Sequence, residues 1–140
     1  MVNTDLHHHM MRAMSSDFKF GKNDCVLFTG LYFQRQGVPV FEVIKKYIGI
    51  SRKNWPKSFS ELENVAHSCK FKNVGAMHEF LIDKMGFKKA TTPKDGDLIL
   101  DSDTYRLGLG WHGGGAFLEA TSGIVISCKN FEKRWYYDGS

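Results

Sequence analysis

FGKNDCVLF, residues 20–28, is the stretch on which the reading of this 140-residue chain turns. Gly21 to Asp24 form a turn-prone run, and a dense apolar segment starts directly behind it. Continued to Gly37, the segment predicts a helix of about three turns, capped by Asn23 or Asp24 and ended before the glycine. Val26, Phe28, Leu31, Tyr32 and Phe33 make it apolar nearly all round, so it belongs in the centre of a fold rather than on its surface. Cys25 then falls in the first turn, where unpaired N–H groups and the positive end of the helix dipole favour a thiolate. The neighbouring charge of Asp24 acts the other way and raises the thiol pKa. Cys25 is either a small buried hydrophobe or a nucleophile placed at a helix terminus.

The rest of the chain bounds the possibilities. With 42% hydrophobic residues it can bury a core without disulfide staples. Cys25, Cys69 and Cys128 are far apart and form no C-x-x-C pair, which predicts reduced thiols and no metal site. No cofactor motif is present. No apolar run approaches the length of a membrane span, and MVNTDLHHH lacks the apolar region of a signal peptide, so a protein made in a cytoplasm is expected. His7, His8 and His9 read as part of a native, partly mobile N-terminal helix through Met14. The net charge of +4 and pI near 9.0 suit an acidic partner. The basic residues are scattered, with loose groups at Lys45, Lys46, Arg52, Lys53 and Lys57 and at Lys129, Lys133 and Arg134 and no aromatic platform motif among them, and nucleic acid is not the expected partner.

Organisation follows from periodicity. VPVFEVIKKYIGI repeats Val40, Val43, Ile44 and Tyr47 at helical spacing and stops at Gly49. Ser60 and Glu63 suggest a capping box for a short helix through His67. NVGAMHEFLIDKMGF is a further amphipathic helix, with Met77, Phe80, Leu81 and Met85 on one face and Gly86 as its stop. His67 and His78 read as surface or hydrogen-bonded packing residues. From Pro93 the period changes: DLILD, YRLGLGW, GAFLEA and GIVISC are strand-like runs separated by SDT, HGG and TSG turns. Helices first and an antiparallel meander second indicate an α+β fold. The expectation is a single domain over residues 1–140, with an N-terminal segment 1–16, a mainly helical part 17–90 and a mainly stranded part 91–140.

The order of these features resembles the NlpC-like branch of the papain-fold cysteine peptidases, which cleave peptide bonds in bacterial cell walls. NDC at 23–25 matches the cysteine that opens the family's central helix. PKDGDLIL at 93–100 matches its turn into the first sheet strand, and AFLEATSGIVIS at 116–127 is similar to its last strand pair. The resemblance runs from about Phe18 to the C-terminus. The FG-x-x-DC start and the tryptophan-containing end are also similar to a small uncharacterised family encoded among phage and prophage tail genes. The resemblance implies a papain-like domain with Cys25 at the nucleophile position and Glu119 at the orienting position.

The family's base is a histidine that begins a strand, with glycine two residues on. If the hairpin turns at HGGG, that position falls on Arg106, and Arg106, Gly108 and Gly110 share a face directed toward the central helix. An arginine can stabilise a thiolate but cannot accept its proton. If the strand instead begins at His112, with Gly114 two residues on, a Cys25–His112 pair survives. The two candidates lie about 20 Å apart along an extended strand, so only one can stand opposite Cys25. The first register is preferred, because successive glycines turn more readily than they pair. Asp97 reads as a turn residue that caps its strand. The resemblance implies a virion component at a tail tip, with other tail-tip or hub proteins as partners and peptidase activity weak or lost. The alternative is an active endopeptidase or amidase that opens peptidoglycan during DNA entry and binds cell-wall peptide. An unrelated α+β binding module is the third reading.

Overall fold

Asp24 starts the central helix. Its backbone is extended (φ −113°, ψ 177°), and one carboxylate oxygen accepts from the Leu27 N–H at 2.9 Å. The computed structural model describes residues 4–14, 24–119 and 123–138. Within them α1 spans Thr4–Met14, α2 Cys25–Gln34, α3 Val40–Ile48, α4 Phe59–Ser68 and α5 Val74–Lys84. Leu27, Phe28, Thr29, Gly30, Tyr32 and Phe33 of α2 are all buried, so the helix is enclosed from several sides, as its sequence requires. Gly49 stops α3 in the left-handed region (φ 84°) that a residue with a Cβ resists. The cap of α4 is Ser58 rather than Ser60: its side chain accepts from the Glu61 N–H at 3.1 Å. The two S-x-x-E phrases overlap, and the helix begins early enough to use the first.

The N-terminal helix is docked. Leu6, Met10 and Ala13 are buried, and α1 packs on α2 and the sheet. His9 lies inside this contact, stacked on Phe28 at 5.1 Å. Its Nε2 donates to the Phe28 carbonyl and its Nδ1 accepts from Arg35 Nη1 at 3.2 Å, which fixes a neutral tautomer. Burial, foremost, lowers its pKa in keeping with that assignment.

The strands are β1 Lys88–Lys89, β2 Leu98–Leu100, β3 Leu107–Trp111, β4 Gly114–Glu119, β5 Gly123–Ser127 and β6 Arg134–Tyr136. They form one antiparallel sheet in the order β1-β6-β2-β3-β4-β5. The meander β2 to β5 is the one that the sequence predicts. The pairs flanking β2 on the other side, β6 and β1, are too short for a periodicity to register. The β3–β4 connection is a two-residue turn, His112–Gly113, with φ of 48° and 84°. Positive φ at both residues matches the right-handed twist of the flanking strands. Only the first glycine of HGGG therefore turns, and Gly114 and Gly115 begin β4.

Strand alternation divides the sheet cleanly. Leu98, Leu100, Leu107, Leu109, Ala116, Leu118 and Trp135 join the helices in the main core. Ile99, Phe117 and Phe131 form a second apolar cluster. Gly108, Gly110 and Gly115 face that second side. A Cβ on Gly108 would stand 2.5 Å from the Phe117 ring, and one on Gly110 would stand 2.5 Å from the Lys94 carbonyl. The expectation that Arg106, Gly108 and Gly110 face α2 is overturned here. The helix layer requires bulk and takes Leu107 and Leu109, whereas the glycines make room for a ring and a loop on the opposite side.

That opposite side also holds a buried ion pair. Arg134 Nε donates to Asp97 Oδ2 at 3.2 Å, with both side chains under 5% exposed. The Lys94 N–H donates to the same carboxylate oxygen at 2.9 Å, so Asp97 caps its turn as expected and anchors β6 as well. Among the described residues no helix is long and apolar enough to cross a membrane.

Gly108→Ala should destabilise the fold by about 1–3 kcal/mol through overpacking against the Phe117 ring. Urea denaturation reads the effect as a lower midpoint at unchanged slope. Phe117→Leu should be less costly in the Gly108→Ala background than in the wild type. Equal cost in both backgrounds would contradict the packing assigned to this pair.

Candidate functional site

Cys25 occupies the first turn of α2, and its sulfur meets the beginning of β3. The Leu107 backbone acts on the thiol in the lowering direction, second to burial. Burial pushes the thiol up to about 11, with Asp24 adding to the rise. Arg106 and the residue's own backbone N–H act in the lowering direction but do not prevail. The helix terminus therefore does not produce a thiolate at neutral pH. Part of Cys25 reaches the surface, while its sulfur turns inward against the strand.

Asp24 holds this arrangement from below. Its second carboxylate oxygen accepts from Trp55 Nε1 at 3.0 Å, and the side chain is 1% exposed. Trp55 in turn stands edge-on to Phe41 at 6.1 Å, which ties the loop after α3 to the start of α2. Asp24 therefore accepts from a backbone N–H and an indole N–H, and acts on the thiol through its charge. Thr29 adds a further local tie, donating to the Cys25 carbonyl at 2.9 Å.

The residues singled out in the sequence fall in different places. Arg106 immediately precedes β3, and its charge reaches the thiol, but its side chain is committed elsewhere. Its Nε donates to Thr104 Oγ1 at 3.0 Å, its Nη2 lies 3.6 Å from Asp101 Oδ2, and its guanidinium covers the Phe117 ring at 5.1 Å. His112 is in the exposed β3–β4 turn, where its N–H donates to Asp95 Oδ1 at 2.8 Å. Five strand residues beyond Leu107 correspond to about 17 Å. Glu119 ends β4 with its Cα opposite Gly123, and its side chain lies outside what the structure describes. The charge of Arg106 reaches Cys25 from the far face of the sheet, and His112 is brought to neither. The residue that meets the sulfur is Leu107, through its backbone.

His78 departs from its expected role. It lies in α5, is 4% exposed, and its Nε2 has no hydrogen-bond partner among the described residues. It lines a small apolar cavity of about 40 Å³ between α2, α3, α5 and the sheet, alongside Thr29 and Leu107. Burial alone lowers its pKa to about 4. Its helical position showed only that one face of α5 is buried, and the apolar pattern assigned that face to Met77 and Leu81. Among the described residues no group of three or more His, Cys, Asp or Glu is arranged to hold a metal ion.

Comparisons with protein-family models, with curated proteins and with solved structures find no match for this chain.

Two outcomes follow from the burial of these groups. With limiting iodoacetamide at neutral pH, exposed Cys128 should be alkylated first and Cys25 last by mass spectrometry. Labelling of Cys25 should then rise about tenfold per pH unit toward pH 11. Preferential labelling of Cys25 at pH 7 would show an activated thiol instead. His78 has a folded pKa below its unfolded 6.5, so its contribution to stability is complete above pH 6.5 and is lost as pH falls toward 4. The wild type should lose on the order of 3 kcal/mol more than His78→Leu over that window. Parallel pH–stability curves for the two proteins would remove His78 from the account.

Proposed function

We propose that this chain is a papain-like domain of NlpC-like descent that serves as a tail-tip or tail-assembly component of a phage-type particle, with peptidase activity weak or lost. The observation that carries the loss of activity is the set of groups around the Cys25 sulfur. A cysteine peptidase needs a base to take the thiol proton and to return a proton to the leaving amine. The Leu107 N–H can only donate. Arg106 is a permanent cation held by Asp101 and Thr104. Burial keeps the thiol protonated, so neither half of the catalytic pair is in a working state.

Descent from the peptidases is supported by a cysteine in the first turn of an enclosed helix, by the sheet against it, and by the chain order of NDC, PKDGDLIL and AFLEATSGIVIS. The tail assignment rests on the similarity of the FG-x-x-DC start and the tryptophan-containing end to the phage and prophage family. An active endopeptidase or amidase built on Cys25, His112 and Glu119 would require His112 to leave the turn in which Asp95 holds its backbone.

Purified protein should hydrolyse peptidoglycan peptides not at all, or at a rate reduced by the ~10²- to 10⁴-fold that a lost general base costs. Arg106→His should not restore that rate, because residue 106 lies on the face of the sheet away from α2, over the Phe117 ring. Robust wild-type cleavage abolished by both Cys25→Ala and His112→Ala would refute the inactive reading and establish the enzyme. The tail assignment is read separately: the chain should co-sediment with assembled tails from a particle-producing lysate, and tails free of it would reject that role.

A further inference from the structure

Residues 45–57 carry five cations, Lys45, Lys46, Arg52, Lys53 and Lys57, and no acidic residue. The whole chain has 19 Lys and Arg against 15 Asp and Glu. Without these five the balance is 14 against 15, a net charge of −1. One stretch thus supplies the entire positive balance of the protein. All five are exposed, and none has a carboxylate partner among the described residues. Flanking carboxylates are engaged: Glu42 accepts from Gln34, and Glu61 accepts from the Lys57 backbone N–H. Lys45 and Lys46, in the last turn of α3, also complement its dipole, but Lys53 and Lys57 have no such role.

Aromatic rings alternate with these charges. Tyr47 is 39% exposed and Phe59 is 40% exposed. Lys46 and, from α5, Lys84 lie over the Tyr47 ring at 5.3 and 5.7 Å. Arg52 lies over Phe41 at 5.4 Å. Isolated lysines would make a solvated surface. Unpaired cations interleaved with exposed rings have a more specific chemistry, because the cations track phosphates and the rings accept bases. An excess of charge on one segment of an otherwise near-neutral molecule also steers a polyanion to that segment.

We infer that the surface formed by residues 45–59 binds single-stranded nucleic acid through its phosphates, with Phe59 as the stacking position. This does not rest on the tail reading. In sequence the cations appear as a loose group; the end of α3, the 3-10 turn Arg52–Asn54 and the start of α4 keep every one of them at the surface and unneutralised.

The test is fluorescence anisotropy of a labelled mixed-sequence DNA oligonucleotide with the full chain, titrated at several NaCl concentrations. Five phosphate contacts predict a slope of about −3.5 for log K against log salt. Lys45→Gln/Lys46→Gln and Lys53→Gln/Lys57→Gln should each bring the slope to about −2. Lys88→Gln/Lys129→Gln removes the same charge from cations already paired with Asp138 and Asp103 and should leave the slope unchanged. Phe59→Ala should weaken binding about fivefold or more at constant slope. Absence of binding at low salt would overturn the inference, as would equal effects of all three charge variants. Displacement of the oligonucleotide by polyglutamate at equal charge would overturn it too, and would assign the surface to an acidic protein.

Discussion

A carboxylate sealed from water sets the geometry of this protein. Asp24 has to satisfy its oxygens inside the molecule, and the Leu27 N–H and the Trp55 indole both donate to it. The first bond determines where α2 begins, and so puts Cys25 in its first turn. The second determines where the loop behind α3 can lie. A buried charge of this kind tolerates little displacement, since losing a donor to it is costly in a low-dielectric interior. Fold and candidate site are therefore fixed by one side chain, which lies beside the cysteine in sequence and draws on a residue 31 positions away.

Burial also decides the chemistry of the cysteine. At a helix terminus exposed to solvent, the dipole, the Leu107 N–H and Arg106 would together favour the anion. Enclosed between α2 and β3, the same thiol is dominated by the cost of desolvating a thiolate. The contrast between a helix-terminal nucleophile and a small buried hydrophobe thus ends in a position typical of the first and an environment typical of the second. Backbone placement at a helix terminus does not by itself make a thiol a nucleophile.

Much of the fold was legible in the chain because its signals are local. Asp24 as cap, Gly49 and Gly86 as stops, and the four meander strands each follow from a few adjacent residues. What was not legible depends on partners far along the chain. Alternation groups Arg106 with Gly108 and Gly110, but whether that set faces the helices depends on Phe117, which needs the space the glycines leave. Asp97 reads correctly as a turn residue, yet its ion pair with Arg134 spans 37 positions. β1 and β6 have two and three residues, too few for a period to appear. His78 looks like an ordinary polar position on an amphipathic helix until α2, α3 and the sheet close over it.

The position of β6 has a consequence for the time course of folding. This late strand is an interior one, lying between β1 and β2 and bound through Arg134 to the turn that starts β2. During synthesis the helices and the β2–β5 meander can leave the ribosome while Asp97 still lacks its counter-charge and β2 keeps a bare edge. Sheet closure has to wait for residues 134–136, a non-local step of the kind that slows folding. Until they arrive, the nascent chain displays an unpaired edge on Leu98–Leu100, open to strand pairing with another chain and to capture by chaperones.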